Sequence, residues 1–347
     1  MTEPRSVNGR ADARRPTLEQ VAELAGVSRG TASRVLTGHP NVSKRARAAV
    51  EEAAQALHYT PNRAARSLVT RRSDSVAFVV SETQERLFTD PFFVGVLRGA
   101  HAEVAARHRQ MLFSIASSVA EREQLAQFVG GGHLDGVVLV SLHGDDALPM
   151  RLQQMGVPVV LSGRPYVDDG TLTYVDADNR GGARTATKFL VERGARHITT
   201  VAGPADMSAS QDRLEGFRAG LRGSGQRMAA HRVQHGDFTL EGGAAAMARL
   251  LEIAPQTDGV FAASDLMAIG AIQAIEASGR RVPADVAVVG FDDVPAAMIA
   301  QPPLTTIRQP IEAMGREIAR CLLDLLDGKH VPTATVLPTE LVVRASA

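Results

Sequence analysis

Apolar residues between Thr17 and Leu57 recur three and four positions apart, the period of helices that bury one face. Leu18, Val21, Ala22 and Ala25 make one such stripe, with Thr17 as N-cap and Gln20 completing a capping-box pattern. Gly26 supplies the left-handed residue that ends this helix, and Val27 plugs the corner beneath the turn. Ser28 caps a second helix over residues 29–36, turning Ala32, Val35 and Leu36 inward and Thr31, Ser33 and Arg34 outward. A third helix follows Ser43 on a stripe of Ala46, Val50, Ala53, Ala54 and Leu57, and ends near Pro61. Two short helices across a tight turn, from Thr17 to Leu36, make a helix-turn-helix whose second helix can enter the major groove of double-stranded DNA. Arg29 and Arg34 then suit guanine edges, while Thr17, Ser28, Thr31, Ser33 and the helix N-terminus suit phosphates or bases. Gly30 reads nothing and permits close backbone approach, at a small cost in helix propensity. The plain alternative is a small helical bundle with no DNA role.

From Ser75 the pattern changes to apolar runs of strand length alternating with amphipathic helices. Strands are predicted at 76–80, 111–115, 136–140, 157–161, 173–175, 198–202, 259–262 and 286–289, and helices at 94–106, 181–193, 211–221, 241–251 and 265–277. Such alternation implies doubly wound parallel sheets, and its length suggests two subdomains with a cleft between them. Ligands in such sheets bind beyond the carboxyl ends of the strands. The fold class expected is therefore α/β, with a helical head on a two-sheet body.

Charge sharpens this division. The chain of 347 residues carries 38 basic and 38 acidic side chains, yet residues 1–72 hold thirteen Lys/Arg against six Asp/Glu, a net of +7. A basic head on an acidic body is the electrostatic footprint of a DNA-binding domain joined to something else. A single cysteine, Cys321, excludes a disulfide framework and a cysteine-based zinc site, and fits a reducing cytoplasm. Residues 1–16 carry four arginines and no apolar core segment, so they read as a disordered arm rather than a signal peptide. No apolar run reaches the roughly 20 residues of a membrane helix.

The stretch TLEQVAELAGVSRGTASRVLTG, followed by VSKRARAAVEEAAQALHYTPNRAARSL, closely resembles the headpiece of the LacI/GalR family of bacterial regulators. On that resemblance, residues 62–69 form a hinge helix that folds on operator DNA, Leu68 is a wedge in the minor groove, and Asn62, Arg63 and Arg66 lie at the DNA. A linker leucine packing on the next domain is the alternative for Leu68. The body also resembles the family, as a periplasmic-binding-protein-like domain, through DPFF at 90–93, VERGARHI at 191–198, RLEGF at 213–217, GDFT at 236–239, SDLMAIGA at 264–271, VAVVGFDD at 286–293 and PPLTTIRQP at 302–310. The implied organisation is an arm at 1–16, the reader at 17–61, hinge and linker at 62–74, and an effector-binding and dimerisation domain at 75–347. The family's three crossings divide that domain into about 75–174 with 309–338, and about 175–308 with 339–347.

The resemblance places effector contacts at Arg213, Asp292 and Phe238. A guanidinium fork suits paired hydroxyls or a carboxylate, and an aromatic face suits a sugar or base ring. Each has a structural alternative: a helix-surface salt bridge, a turn cap and a core phenylalanine. Phe92 and Phe93 can wall the cleft, although helix-start packing explains one of them equally well. Asp178 is a ligand contact or an N-cap, and Arg164 is a further contact for a hydroxyl-rich or anionic ligand. Ser264 stands where the family commonly has asparagine, so sugar specificity does not transfer directly, and Asp265 beside it is a helix cap or a ligand contact.

Catalytic patterns are missing. His231 and His235 fall on a strand and loop rather than one helix face, so they make no metal pair. Ser224 lacks the strand–turn–helix setting of a nucleophile elbow, and Gly130-Gly-Gly132 precedes a strand as a plain loop. No cofactor or metal is expected. The sequence reads as a DNA-binding transcriptional regulator, a cytoplasmic repressor whose partners are operator DNA, a small carbohydrate effector and a second copy of itself. Without leucine heptads after the last strand, a homodimer is expected rather than a tetramer. The competing readings are a solute-binding protein and an effector-independent architectural DNA binder; the direction of the effector's action stays open.

Overall fold

The computed structural model describes residues 16–37, 39–60, 72–144, 146–167, 170–224 and 230–347. Asn62, Arg63, Arg66 and Leu68, and the arm before Pro16, lie outside the described residues. The chain divides between Ser73 and Asp74 into two compact units.

The first unit is built by its caps. Thr17 and Gln20 exchange bonds in a capping box that opens α1 (Leu18–Leu24). Gly26, at φ +65°, turns the chain as a residue without Cβ can. Ser28 opens α2 (Arg29–Leu36) by accepting from the Thr31 amide at 3.1 Å, and Ser43 opens α3 (Lys44–Ala56) by accepting from Ala46 at 3.2 Å. Val21, Ala22, Ala32, Val35, Val50, Ala53 and Ala54 form the core, with Leu18, Val27, Leu36 and Leu57 packed against it.

The second unit contains two six-stranded sheets. The first comprises β1 (Ser75–Val80), β2 (Gln110–Ile115), β3 (Gly136–Val140), β4 (Val159–Ser162), β5 (Thr173–Ala177) and β11 (Ala334–Leu337), in the order β11-β5-β4-β3-β1-β2 and parallel throughout. The second comprises β6 (Ile198–Ala202), β7 (Val233–His235), β8 (Gly259–Ala262), β9 (Ala287–Asp292), β10 (Thr305–Arg308) and β12 (Glu340–Val342), in the order β12-β10-β9-β8-β6-β7, with only β12 antiparallel. Central strands such as β1 and β3 are continuous apolar runs because helices cover both faces. Between them come α4 (Gln84–Thr89), α5 (Pro91–Ala106), α6 (Val119–Phe128), α7 (Leu148–Gln154), α8 (Asn179–Glu192), α9 (Ser208–Gly223), α10 (Leu240–Ile253), α11 (Asp265–Ala277), α12 (Pro295–Ile299) and α13 (Ile311–Leu326).

The chain passes between sheets after β5, after β10 and after β11, and the first and last of these connections touch: the Asp178 amide donates to Leu337 O at 2.8 Å, and Thr339 Oγ1 donates to Asp178 O at 3.4 Å. β5 stays in the first sheet through Ala177, in register with Leu337, so the crossing falls beyond the 174/175 boundary suggested by the resemblance. Helix α13 packs on α5 through facing glycines. A Cβ on Gly99 would sit 2.0 Å from Glu312 O, and one on Gly315 would sit 2.0 Å from Val96 O, so neither position admits a side chain without parting the helices. The triglycine run is no plain loop but part of a π-helical turn, Val129–His133, with Gly132 at φ +77°.

Candidate functional site

In the first unit, Arg29 and Arg34 are exposed on α2, as are Ser28, Gly30 and Thr17 nearby, whereas Thr31 and Ser33 are half-buried. Arg29 Nε pairs with Glu19 at 2.8 Å and Arg34 Nε donates to Gly30 O at 3.2 Å; both are surface interactions that a DNA phosphate or base can replace at little cost. Ser28 Oγ and Thr31 Oγ1 lie 2.9 Å apart, so the cap orients a hydroxyl pair at the helix start. A Cβ at Gly30 would meet nothing nearer than 3.9 Å, so no packing inside the unit requires glycine there.

In the body, loops after the strands of both sheets converge on a cleft lined by Arg86, Asp90, Phe92, Arg164, Asp176, Asn179, Arg213, Phe238 and Asp292, among others. Arg213, buried on α9, is its centre. Its Nε donates to Asn179 Oδ1 at 2.8 Å, and its Nη1 donates to Ala263 O and lies 3.3 Å from Asp292 Oδ1. Its guanidinium stacks 3.8 Å from the centroid of Phe291. Burial lowers the Arg213 pKa and raises that of Asp292; the opposite charge of each works against these shifts. Gln309 Nε2 donates to the same Asp292 oxygen at 2.6 Å. Burial also raises Asp90, the N-cap of α5, and lifts Asp176 to about 6 even though the Arg164 and Ala177 amides donate to its carboxylate.

Arg164 reaches from the first subdomain to the second: Nε and Nη2 engage Asp212 on α9 at 3.2 and 3.3 Å, and its carbonyl accepts from Ser208 Oγ at 2.5 Å. A second bridge runs through His143, whose Nε2 lies 3.0 Å from Glu82 and whose Nδ1 lies 2.9 Å from Asp206. Hydrogen bonds to these carboxylates raise the His143 pKa. Ser141, Phe238 and Asp292 hold positive φ values of 62°, 66° and 117° around the cleft, a local strain of the kind that gathers at binding sites. Gly203 is required beneath the Phe238 ring, since a Cβ would stand 2.3 Å from its Cζ.

Five of the residues singled out from sequence therefore meet: Phe92, Arg164, Arg213, Phe238 and Asp292. Three do not line this cleft. Phe93 is in the core, 1 % exposed, edge-on to Phe92. Asp178 is exposed and caps α8 by accepting from the Gly181 amide at 2.8 Å. Ser264 is buried as the cap of α11, accepting from the Met267 amide at 3.3 Å. Asp265 is not that cap; its buried carboxylate accepts from the Val294 amide and the Thr306 hydroxyl, tying α11 to the next two segments. Sequence reasoning missed Glu82, Arg86, His143, Asp176 and Asn179, although each lies within three residues of a strand end in the first sheet or in the first turn of the next helix. Among the described residues no group of histidine, cysteine and carboxylate side chains can hold a metal ion, and no helix is long and apolar enough to cross a membrane.

A basic helical reader joined to a two-sheet body with a polar, aromatic-walled cleft defines a ligand-responsive DNA-binding regulator. Residues 17–62 match the model for bacterial regulatory proteins of the lacI family, and residues 187–347 match the periplasmic binding protein-like domain. The chain is 51% identical over 335 residues to the HTH-type transcriptional regulator CelR of Thermobifida fusca, covering 96% of this chain and 98% of that one. It is 32% identical to the transcriptional repressor CytR of Escherichia coli K12, over 95% of this chain and 96% of the relative. Among solved structures, a CelR–cellobiose complex superposes with a TM-score of 0.78 at 48% identity, covering 96% of this chain and all of that one. The lac repressor dimer bound to operator and an anti-inducer superposes with a TM-score of 0.85 at 27% identity, covering 96% and 99%. The chain belongs to the LacI family of transcriptional regulators.

Proposed function

We propose that this regulator is a homodimeric repressor, without catalysis of its own, whose operator affinity changes when a small saccharide closes the cleft. One observation carries the reading: a buried guanidinium–carboxylate couple, Arg213 with Asp292, stands in the same cleft as the aromatic faces of Phe238 and Phe92. The fork and the carboxylate take adjacent hydroxyls, while the apolar face of a pyranose lies on a ring. The CelR relative solved with cellobiose favours a β-linked glucose disaccharide as the first ligand to try.

A ligand gripped by both subdomains binds the closed arrangement more tightly than an open one, so it shifts the equilibrium between them. The three connections between the sheets are the element about which that shift turns, and it is passed to the reader as a change in operator affinity. Dimerisation is supported by apolar side chains left exposed: Val94 on α5, Leu112 and Phe113 on β2, and Met298 and Ile299 on α12. Two readers on one dimer match a near-palindromic operator, with Arg29 and Arg34 reading bases. Such a protein works at the chromosome, in the cytoplasm.

Selection of bound genomic fragments yields the operator, and fluorescence anisotropy on it with and without cellobiose tests the coupling. A salt-independent change in affinity of fivefold or more, in either direction, supports the reading and gives its sign. Unchanged operator affinity at saturating cellobiose refutes this effector, and unchanged site preference in Arg29→Ala and Arg34→Ala refutes the recognition assignment.

A further inference from the structure

Beside the core of the cleft, where the remaining cavity is about 80 Å³, lies another of about 600 Å³. Its lining comes entirely from the segments that follow β1, β2 and β3 of the first subdomain: loop residues such as Thr83 and Asp146, and Arg122, Glu123 and Arg151 on α6 and α7. In the first sheet β1 is flanked by β2 on one side and β3 on the other, so the winding reverses there, and the crevice beyond that reversal is where open α/β sheets take ligands. Pockets that enclose small molecules run from about 300 to 1,000 Å³, a range the outer cavity meets and the core by itself does not.

One layer of side chains divides the two spaces. Glu82 faces the outer cavity, yet its carboxylate accepts from Ser141 Oγ at 2.5 Å and pairs with Arg86, both of which line the core. Arg86 lies 4.9 Å over the Phe238 ring, on the aromatic face that a sugar in the core would take. The partition is also under-satisfied: among the described residues, Arg86 Nε and Ser81 Oγ are buried without a hydrogen-bond partner. A buried polar atom left unpaired is costly, so a ligand that moves Arg86 off Phe238 and supplies hydroxyls to this layer is met by groups already lacking partners.

The chemistry of the outer cavity selects the ligand. Arg122 lies 3.6 Å from Asp146 and Arg151 lies 3.5 Å from Glu123, loose pairs in which cations and anions alternate along the wall. An anion would meet Glu123 and Asp146, and a cation would meet the two arginines. A neutral ring bearing hydroxyls, each both donor and acceptor, satisfies both sets. We propose that the outer cavity is a second glycosyl subsite, so that the effector is a neutral oligosaccharide with one ring in the core and the next beyond the Glu82–Arg86 partition. This rests on the sugar reading given above.

The test is isothermal titration of the full chain with glucose, cellobiose and cellotriose, beside Ala147→Trp, which puts an indole at an exposed position of the outer wall, and Arg151→Ala. The unmodified chain should bind cellobiose and cellotriose at least tenfold more tightly than glucose. Ala147→Trp should bring both to within threefold of glucose without changing the glucose affinity, and Arg151→Ala should weaken cellobiose threefold to tenfold. Should Ala147→Trp fail to fold, the Arg151→Ala result decides alone. Equal affinity for all three sugars, or a preference for cellobiose untouched by either variant, overturns the subsite and leaves the sugar effector standing. No binding of any of the three removes the sugar effector, and the subsite with it. Inorganic phosphate binding that Ala147→Trp abolishes would overturn the neutral ligand.

Discussion

Replacing Asp292 with alanine takes from buried Arg213 its paired carboxylate and leaves it hydrogen-bonded, among the described residues, to Asn179 and the Ala263 carbonyl, with weaker attraction from Asp176, Asp265 and Asp90. Removing one member of a buried pair typically costs about 3–5 kcal/mol, because the remaining charge stays desolvated. Gln309 also loses its acceptor. Part of any loss would come from the backbone, since Asp292 sits at φ 117°, where alanine is strained by about 1–3 kcal/mol. Glycine relieves that strain while leaving Arg213 equally bare, so Asp292→Gly separates the two effects. Urea unfolding followed by far-UV circular dichroism reads the outcome. With a slope of about 3 kcal/mol/M, Asp292→Ala should lower the midpoint by about 1 M or more, and Asp292→Gly should recover no more than about a third of that. Asp292→Asn, which keeps an oxygen for Gln309 and Arg213, should fall between Asp292→Ala and the unmodified chain. The double variant Arg213→Met/Asp292→Ala should lose much less than the sum of its singles. A loss below about 1 kcal/mol in Asp292→Ala, or complete recovery in Asp292→Gly, would refute the claim that uncompensated charge governs this site.

Three further outcomes follow from local geometry. Gly99→Ala drives a methyl group into the Glu312 carbonyl and should cost about 1–3 kcal/mol, seen as a lower midpoint for the effector domain with no change in operator specificity. Ser28→Ala removes the cap of α2 and should cost the reader about 1 kcal/mol, measurable as faster amide exchange along that helix. Between pH 4 and pH 8 the body should lose stability as pH rises. The native Asp176 carboxyl, lifted from 3.8 to about 6, holds a proton that the unfolded chain releases, so its contribution is complete below about pH 4 and gone above about pH 6. His143, raised from 6.5, acts in the same direction, stabilising below pH 6.5 and fading as pH climbs through its native value. Thermal melts of Asp176→Asn should show a flatter slope from pH 4 to pH 6; an unaltered slope would place the effect elsewhere.

The reader was legible because each of its helices announces itself with a cap, Thr17, Ser28 or Ser43, followed by apolar residues at helical spacing. The central parallel strands were equally plain, since covering both faces makes them unbroken apolar runs. Strands β11 and β12 left no such trace: they are short, half-exposed and recognisable only through their partners β5 and β10. In the cleft, Arg213, Asp292 and Phe238 stood out through resemblance, but the residues at strand ends split in a way that sequence alone does not reveal. A serine or aspartate that caps a helix has the same neighbours in the chain as one that faces a ligand, which is why Ser264 and Asp178 looked like contacts. Glu82 and Arg86 are four residues apart, but His143 reaches them only because β1 and β3 are adjacent, and that adjacency is a property of the sheet order.

The pairing of β5 with β11 also sets a schedule for making the protein. Gly99 on α5 waits 216 residues for Gly315 on α13, and Ala177 waits about 160 residues for Leu337 before the first sheet has its last strand. At about 5–20 residues per second that delay is roughly 8–32 s of translation. The helical reader, whose core closes within residues 18–59, has no such wait. On the ribosome, a segment able to touch DNA is complete well before the half-built sheet that governs it, and during that interval an unpaired edge of β5 depends on the cell's chaperones or on speed to stay out of the wrong partnership.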